Sequence, residues 1–152
     1  MSSALLLGLS KRIIDSAKLY TCDREQFGKP IGSFQAVKHM LADVAIEIEF
    51  TNALVYRAAS SIQKNCSNAT LHAAQAKFQS IKACEIASKN GLQAHGAMGY
   101  TWEMDLHIFV RKGWSYKGIW GSRPFVENLV FNNLKKDLPQ LGATCTFMDN
   151  ND

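Results

Sequence analysis

The chain has no apolar run approaching the ~18 residues that a membrane-spanning helix requires, no closely paired cysteines and no large excess of either charge. Each absence removes a class of protein. Four cysteines (Cys22, Cys66, Cys84 and Cys145) lie far apart without a CxxC pair, so neither a zinc site nor a disulfide scaffold is expected. Reduced thiols in an intracellular, cytoplasmic setting are the simplest reading. Basic residues exceed acidic ones by 17 − 13 = 4 and are scattered, which is no footprint for nucleic acid. His39, His72, His95 and His107 share no HExxH or other paired-ligand spacing, so no metal site is expected. No Gly-x-Ser-x-Gly elbow or Cys/His pairing points to nucleophilic catalysis. Two-residue alternation, internal repeats and low-complexity tracts are also missing.

What remains is an ordinary globular composition. The 152 residues, 47% hydrophobic and 20% charged, suit one domain with a real core. The apolar start, Met1 to Leu9, lacks a basic n-region and runs on into a helical pattern, so it reads as core helix rather than signal peptide.

Helical periodicity then organises the chain. From Ser3 to Asp23, Leu6, Leu9, Ile13, Ala17 and Tyr20 form one apolar face, with Lys11, Arg12, Asp15 and Lys18 off it. Gly28 reads as the helix stop and Pro30 as the block to early resumption. Ser33 is the candidate N-cap of a second helix. Its stripe is Val37, Leu41, Val44, Ile48, Thr51, Val55, Ala58 and Ile62. No Gly or Pro interrupts Phe34 to Asn65, a span of roughly 48 Å if helical. Asp43, Glu47 and Glu49 read as a solvated face. A third helix, Ala69 to Ala94, carries the small stripe Ala76, Ser80, Ala83 and Ala87, which lets a neighbour approach closely. A fourth, aromatic segment runs from Trp102 to Trp114, and a fifth opens at Ser122-Arg123-Pro124 with Val126, Leu129, Val130 and Leu134 inward. The pattern of three long helices and two shorter ones, joined by short turns, implies an all-α protein, an antiparallel helical bundle. Pro139 lies just past the last helix, and 139–152 reads as a frayed tail.

Two Gly-rich turns carry the chemistry. The first is Arg24-Glu25-Gln26-Phe27-Gly28-Lys29-Pro30-Ile31, continuing to Phe34-Gln35. The second is Gln93-Ala94-His95-Gly96-Ala97-Met98-Gly99-Tyr100-Thr101. Arg24 either complements the negative end of its helix or grips an anionic ligand at the turn. Gly96 follows a helix, not a strand, so a Rossmann or P-loop reading fails on context, and helix C-capping is its plainest role. Gln93 reads as a surface amide.

Together, and in register with Lys38-His39-Met40-Leu41-Ala42-Asp43 and Arg111, these turns resemble the C-terminal all-helical domain of the acyl-CoA dehydrogenases. The resemblance runs from Ala4 to Leu134. It implies an antiparallel, up-down four-helix-bundle core with a short additional helix over 1–138, one of three domains of a flavoprotein subunit, with FAD bound at a subunit interface and held mainly by the neighbour. By position it assigns Arg24 to the flavin pyrophosphate and Gln26 and Phe27 to the same half of the cofactor. Gln93, Gly96 and Ala97 form the second contact strip, where Ala97 stands in place of the family's second glycine. A bidentate guanidinium suits a diphosphate, and glycine lets backbone approach a ligand. The implied partners are acyl-CoA, in the full-length protein, and like or unlike subunits of the same family.

The resemblance also exposes a gap. The family removes the substrate α-proton with a glutamate, usually in an Ile-Tyr-Glu-Gly-Thr-like turn. The matching stretch here is Gly118-Ile119-Trp120-Gly121-Ser122-Arg123, which puts Trp120 or Gly121 at the base, and neither accepts a proton. Some members carry the base on the domain's first helix, at a position that aligns upstream of Met1. Glu127, one to two helical turns into the fifth segment, is not expected to substitute. Tyr100-Thr101-Trp102-Glu103-Met104-Asp105-Leu106-His107 is similar to a subgroup acting on bulky or sterol side-chain acyl-CoAs, some assembled from unlike subunits of which one bears the base. The expectations are therefore a domain of a flavin-dependent dehydrogenase, inactive alone, or a non-catalytic partner subunit with an assembly role. An unrelated helical interaction module is the third reading.

Overall fold

The computed structural model describes residues 1–136; the expected domain end at 138, Pro139, Cys145 and the tail 139–152 lie outside the described residues. Five helices follow in order: α1 (Ser2–Asp23), α2 (Gln35–Gln63), α3 (Ala69–His95), α4 (Leu106–Gly118) and α5 (Arg123–Lys136). A two-residue hairpin, β1 (Glu25–Gln26) with β2 (Lys29–Pro30), sits between α1 and α2. Short 3-10 turns at Ile31–Ser33 and Gly96–Tyr100 complete the chain path.

Short connections force sequential helices to reverse, and side-chain pairs fix the directions. Asn90, late in α3, donates to the Met40 carbonyl early in α2 at 2.8 Å, while Ser61 Oγ and His72 Nδ1 share a 2.6 Å hydrogen bond at the other end. Arg12 of α1 lies over Phe109 of α4, and Lys77 and Cys84 of α3 meet Tyr116 and Gly113 of α4. The order is up-down-up-down, the antiparallel bundle that the short turns implied, and α5 packs on α3.

The core forms where α1 and α3 meet the other helices. Leu6, Ile13, Val44, Ile48, Ile81, Leu106 and Val110 are buried. At about 1.5–3 kcal/mol each, they outweigh exposed ion pairs such as Lys18–Asp15, worth about 1 kcal/mol or less. Ala76, Ser80, Ala83 and Ala87 are all buried, so the small stripe is where α3 takes its neighbours. Close approach is sharpest at two glycines. A Cβ on Gly91 would stand 2.5 Å from Ile13 Cγ2, and one on Gly113 would stand 2.6 Å from Cys84 Sγ.

Several expectations change. Leu7 and Ile14 are buried beside the expected face of α1, because this helix packs against α2, α3 and α4 at once and so hides more than one stripe. Ile62 is exposed and Ser61 takes the inward position near the end of α2. Glu47 leaves the solvated face: its side chain is 17% exposed, 2.8 Å from Lys82 Nζ, and accepts from Gln79 at 2.6 Å. Ser33 lies in a 3-10 turn, and Phe34 occupies the N-cap without a side-chain hydrogen bond. Trp102 precedes α4 and is 79% exposed, its indole edge-on to His107 at 4.6 Å and under the Arg111 guanidinium at 5.8 Å.

Two buried titratable groups lie at the α3–α4 contact. Lys77 Nζ donates to the Tyr116 carbonyl at 2.9 Å, in the last turn of α4. Burial pulls the Lys77 ammonium below the usual lysine range, and burial pushes the Cys84 thiol up against the smaller opposing pull of the Ser10 and Ser88 hydroxyls. No helix among the described residues is long and apolar enough to cross a membrane.

Candidate functional site

The two Gly-rich turns come together. Helix α1 ends at Asp23, and Arg24 closes it in extended conformation, its N–H donating to the Tyr20 carbonyl at 2.9 Å. The chain then makes a hairpin instead of a simple helix stop. Glu25 pairs with Pro30 and Gln26 with Lys29, leaving Phe27 and Gly28 as the two-residue loop with φ of 53° and 75°. Positive φ at both positions is what a two-residue hairpin turn of this twist demands, and Gly28 meets it without a Cβ. Phe27 has the same left-handed φ and is 91% exposed. The Ile31 N–H donates to the Arg24 carbonyl at 2.8 Å and locks the base of the hairpin. Gly32 then lies against α1, where an added Cβ would stand 3.0 Å from the Thr21 carbonyl oxygen.

Helix α3 supplies the facing wall. It runs through Gln93 and His95 and ends at Gly96, whose φ of 58° and ψ of −138° suit glycine, so the expected C-cap is present. A Cβ built on Gly96 meets nothing within 4 Å, which leaves its backbone bare toward open space. Gly99 is tucked beneath, 3.1 Å from His95 Cβ and from the Leu92 carbonyl oxygen by the same construction.

Between these walls lies a groove of about 580 Å³. All six residues singled out from sequence line it: Arg24, Gln26, Phe27, Gln93, Gly96 and Ala97. The sequence reading had missed the floor, Tyr20, Phe34, Met40 and His95 among others. The signal for His95 was its place between Gln93 and Gly96 in the second turn. Phe27 and Phe34 meet edge to face at 6.2 Å, and Lys29 Nζ sits 4.5 Å over the Phe34 ring.

The electrostatics favour an anion. Arg24 is exposed and pairs with no carboxylate among the described residues. The first turn of α2 contributes Ala36 and Val37 to the groove and carries no acidic residue. Val37 and Lys38 N–H both donate to the Phe34 carbonyl at 3.1 Å, so the Gln35 and Ala36 amides precede the helical ladder.

One polar atom under the groove is unsatisfied. His95 is 2% exposed, its Nδ1 lies 2.8 Å from the Gly91 carbonyl oxygen, and its Nε2 has no partner. A carbonyl only accepts, so Nδ1 carries the hydrogen. In that tautomer of the uncharged ring, Nε2 is an acceptor. A buried acceptor left unpaired costs about 1–3 kcal/mol.

The expected base position lies elsewhere. Trp120 and Gly121 form the turn between α4 and α5 with φ of 55° and 122°, and Trp120 is 72% exposed. Glu127 is held by Arg123 Nε at 3.0 Å on an exposed part of α5 and lines a different groove, between α2, α3 and α5. Among the described residues no group of three or more His, Cys, Asp or Glu could hold a metal ion.

Comparison with known proteins agrees with this architecture. The family model described as acyl-CoA dehydrogenase, C-terminal domain, matches residues 1–121. Caffeyl-CoA reductase-Etf complex subunit CarC of Acetobacterium woodii is 40% identical over 105 residues, covering 69% of this chain and 27% of its own. Glutaryl-CoA dehydrogenase of Desulfococcus multivorans is 34% identical over 124 residues, 82% of this chain and 32% of its own. The solved glutaryl-coenzyme A dehydrogenase–glutaryl-CoA complex superimposes with a TM-score of 0.82 at 31% identity, over 89% of this chain and 34% of that one. The chain thus spans about a third of the length of these relatives.

Proposed function

The chain belongs to the acyl-CoA dehydrogenase family, as a C-terminal domain of that family, and from this we propose that its groove binds the nucleotide half of FAD. The observation that carries the reading is an uncommitted Arg24 lining the same groove as the bare backbone of Gly96. Arg24 pairs with the diphosphate, which its planar fork can grip in two places. Gln26 and Phe27 flank the same half of the cofactor from the hairpin. Gln93, Gly96 and Ala97 provide the second strip, and the exposed Ala97 methyl leaves the groove open there.

FAD supplies the hydride acceptor for α,β-dehydrogenation of an acyl-CoA thioester in the full-length, oligomeric protein. The chain's own share is binding and orientation, since the Trp120–Gly121 turn offers no carboxylate. That turn also favours a second reading, a partner subunit that completes a flavin site in an assembly while another chain bears the base.

The test is flavin retention. Arg24→Ala in the full-length protein should weaken FAD binding roughly 10- to 100-fold, the scale of a charge-assisted contact. Arg24→Lys should restore part of it. An unchanged flavin-to-protein ratio in Arg24→Ala overturns the assignment.

A further inference from the structure

We propose that His95 is a specificity-determining residue of the groove, its Nε2 accepting a hydrogen bond from a sugar-type hydroxyl next to the ligand's diphosphate. The inference rests on the diphosphate reading of Arg24 and extends it to a residue with no assigned role. Three observations carry it. Nδ1 is committed to the Gly91 carbonyl at 2.8 Å, which leaves Nε2 as the acceptor. Nε2 is buried with no partner in the protein. His95 belongs to the lining of the groove that also holds Arg24.

Position selects the donor. His95 stacks on Tyr20 with centroids 4.5 Å apart, and Tyr20 precedes Arg24 by one helical turn, about 5–6 Å along α1. A group within that reach of a guanidinium-bound diphosphate is two or three carbons beyond the phosphate. In a dinucleotide such groups are ribose or ribityl hydroxyls, and both can donate. A ligand reaches Nε2 by displacing groove side chains. Two of these, Met40 and Met98, are unbranched and re-pack readily.

The experiment is ¹⁵N NMR of the histidine and arginine side chains in this 152-residue chain, titrated separately with ADP, FMN and inorganic pyrophosphate. ADP carries ribose hydroxyls beside a diphosphate, FMN carries ribityl hydroxyls beside a phosphate, and pyrophosphate carries none. The expected result is an upfield shift of the His95 Nε2 resonance with ADP, FMN or both, and none with pyrophosphate. ADP alone identifies the ribose side, and FMN alone the ribityl side. His95→Phe, which keeps the stack and removes the acceptor, should weaken binding of the responding nucleotide roughly 2- to 10-fold and leave pyrophosphate unchanged. His95→Gln, which restores an acceptor, should recover part of the loss.

If Arg24 responds to ADP while His95 Nε2 does not, the His95 proposal fails and the diphosphate reading stands. If neither Arg24 nor His95 responds to any of the three, the diphosphate reading fails and the proposal with it. Equal ADP and FMN binding by His95→Phe and the parent chain also overturns the proposal.

Discussion

Tyr20 and His95 stack with ring planes 23° from parallel and centroids 4.5 Å apart, joining the last turn of α1 to the last residue of α3. Tyr20 sits just before the first Gly-rich turn and His95 sits within the second. The stack therefore registers the two walls of the groove, although the turns are about seventy residues apart in sequence. Two loops reach one site because the helices behind them are parallel and latched at their ends.

Breaking that latch should loosen both turns together. Tyr20→Leu keeps bulk and loses the stack, which is worth about 0.5–1.5 kcal/mol beyond area burial. Hydrogen exchange should quicken in residues 24–34 and in 93–100, with little change at the far end near Ser61 and His72. Faster exchange in one turn only would mean the stack does not couple them.

The small stripe of α3 should tolerate no growth. Ala83 is fully buried, so Ala83→Leu overpacks the core at about 1–3 kcal/mol. For a domain of this size the expected loss in Tm is roughly 2–4 °C per kcal/mol. Glu85→Ala breaks only the partly exposed pairs with Lys117 and Arg123 and should cost about 1 kcal/mol or less. Thermal melts of the two variants side by side check the ranking.

Alkaline stability should be governed by two opposing groups. The folded Cys84 thiol holds its proton above the ordinary thiol range, so its contribution is present at neutral pH and is lost as pH rises through the raised value. Folded Lys77 sheds its proton below the ordinary lysine range, so its contribution is present at high pH and is lost as pH falls through the lowered value. Cys84→Ala removes the first arm. Between about pH 8 and about pH 10, its denaturant midpoint should fall less, or rise, relative to the parent chain. Parallel curves would exclude Cys84 as the source.

Thiol chemistry gives an independent reading of the same burial. Cys22 is exposed and Cys84 is buried against Gly113. A neutral disulfide reagent should modify Cys22 within the mixing time of a manual assay and Cys84 only through opening of the α3–α4 contact. Denaturant well below the unfolding midpoint should leave the Cys84 rate slow. Equal native rates would place Cys84 at a more open site.

Dehydrogenase turnover should be negligible for the chain alone with added FAD and acyl-CoA. A missing general base costs about 10²–10⁴-fold, and neither Trp120 nor Gly121 replaces it. Sustained product formation by the purified chain would sink the argument that the base comes from elsewhere.

Much of the fold was legible because helical spacing is a long-range pattern. Val44, Ile48, Thr51 and Ala58 repeat it over four turns of α2, and each is buried. Leu7 and Ile14 escaped notice because a single-face template assumes one neighbour, whereas α1 has three. The hairpin escaped because two-residue strands carry no alternation. Phe27 also contradicts the usual sign of a left-handed turn, where Gly, Asn or Asp is expected. Trp102 misled because its aromatic character looked like core, while in the fold it is largely exposed, with His107 and Arg111 against its ring. The six groove residues were legible only through the resemblance. Their convergence depends on the tertiary latch between Tyr20 and His95, which no local pattern encodes.

The contact of Gly91 with Ile13 sets a tolerance for the whole site. The side chain that Gly91 lacks is a clearance, and Ile13 fills it to within van der Waals limits. This gauge lies behind the groove, with Gly91 two residues before Gln93 and Ile13 seven before Tyr20. The separation of the two walls is thus machined in the dry interior, where side chains cannot drift, and the solvent-facing turns inherit it. A single added carbon at Gly91 would act like a shim, widening a binding surface none of whose own atoms had been touched.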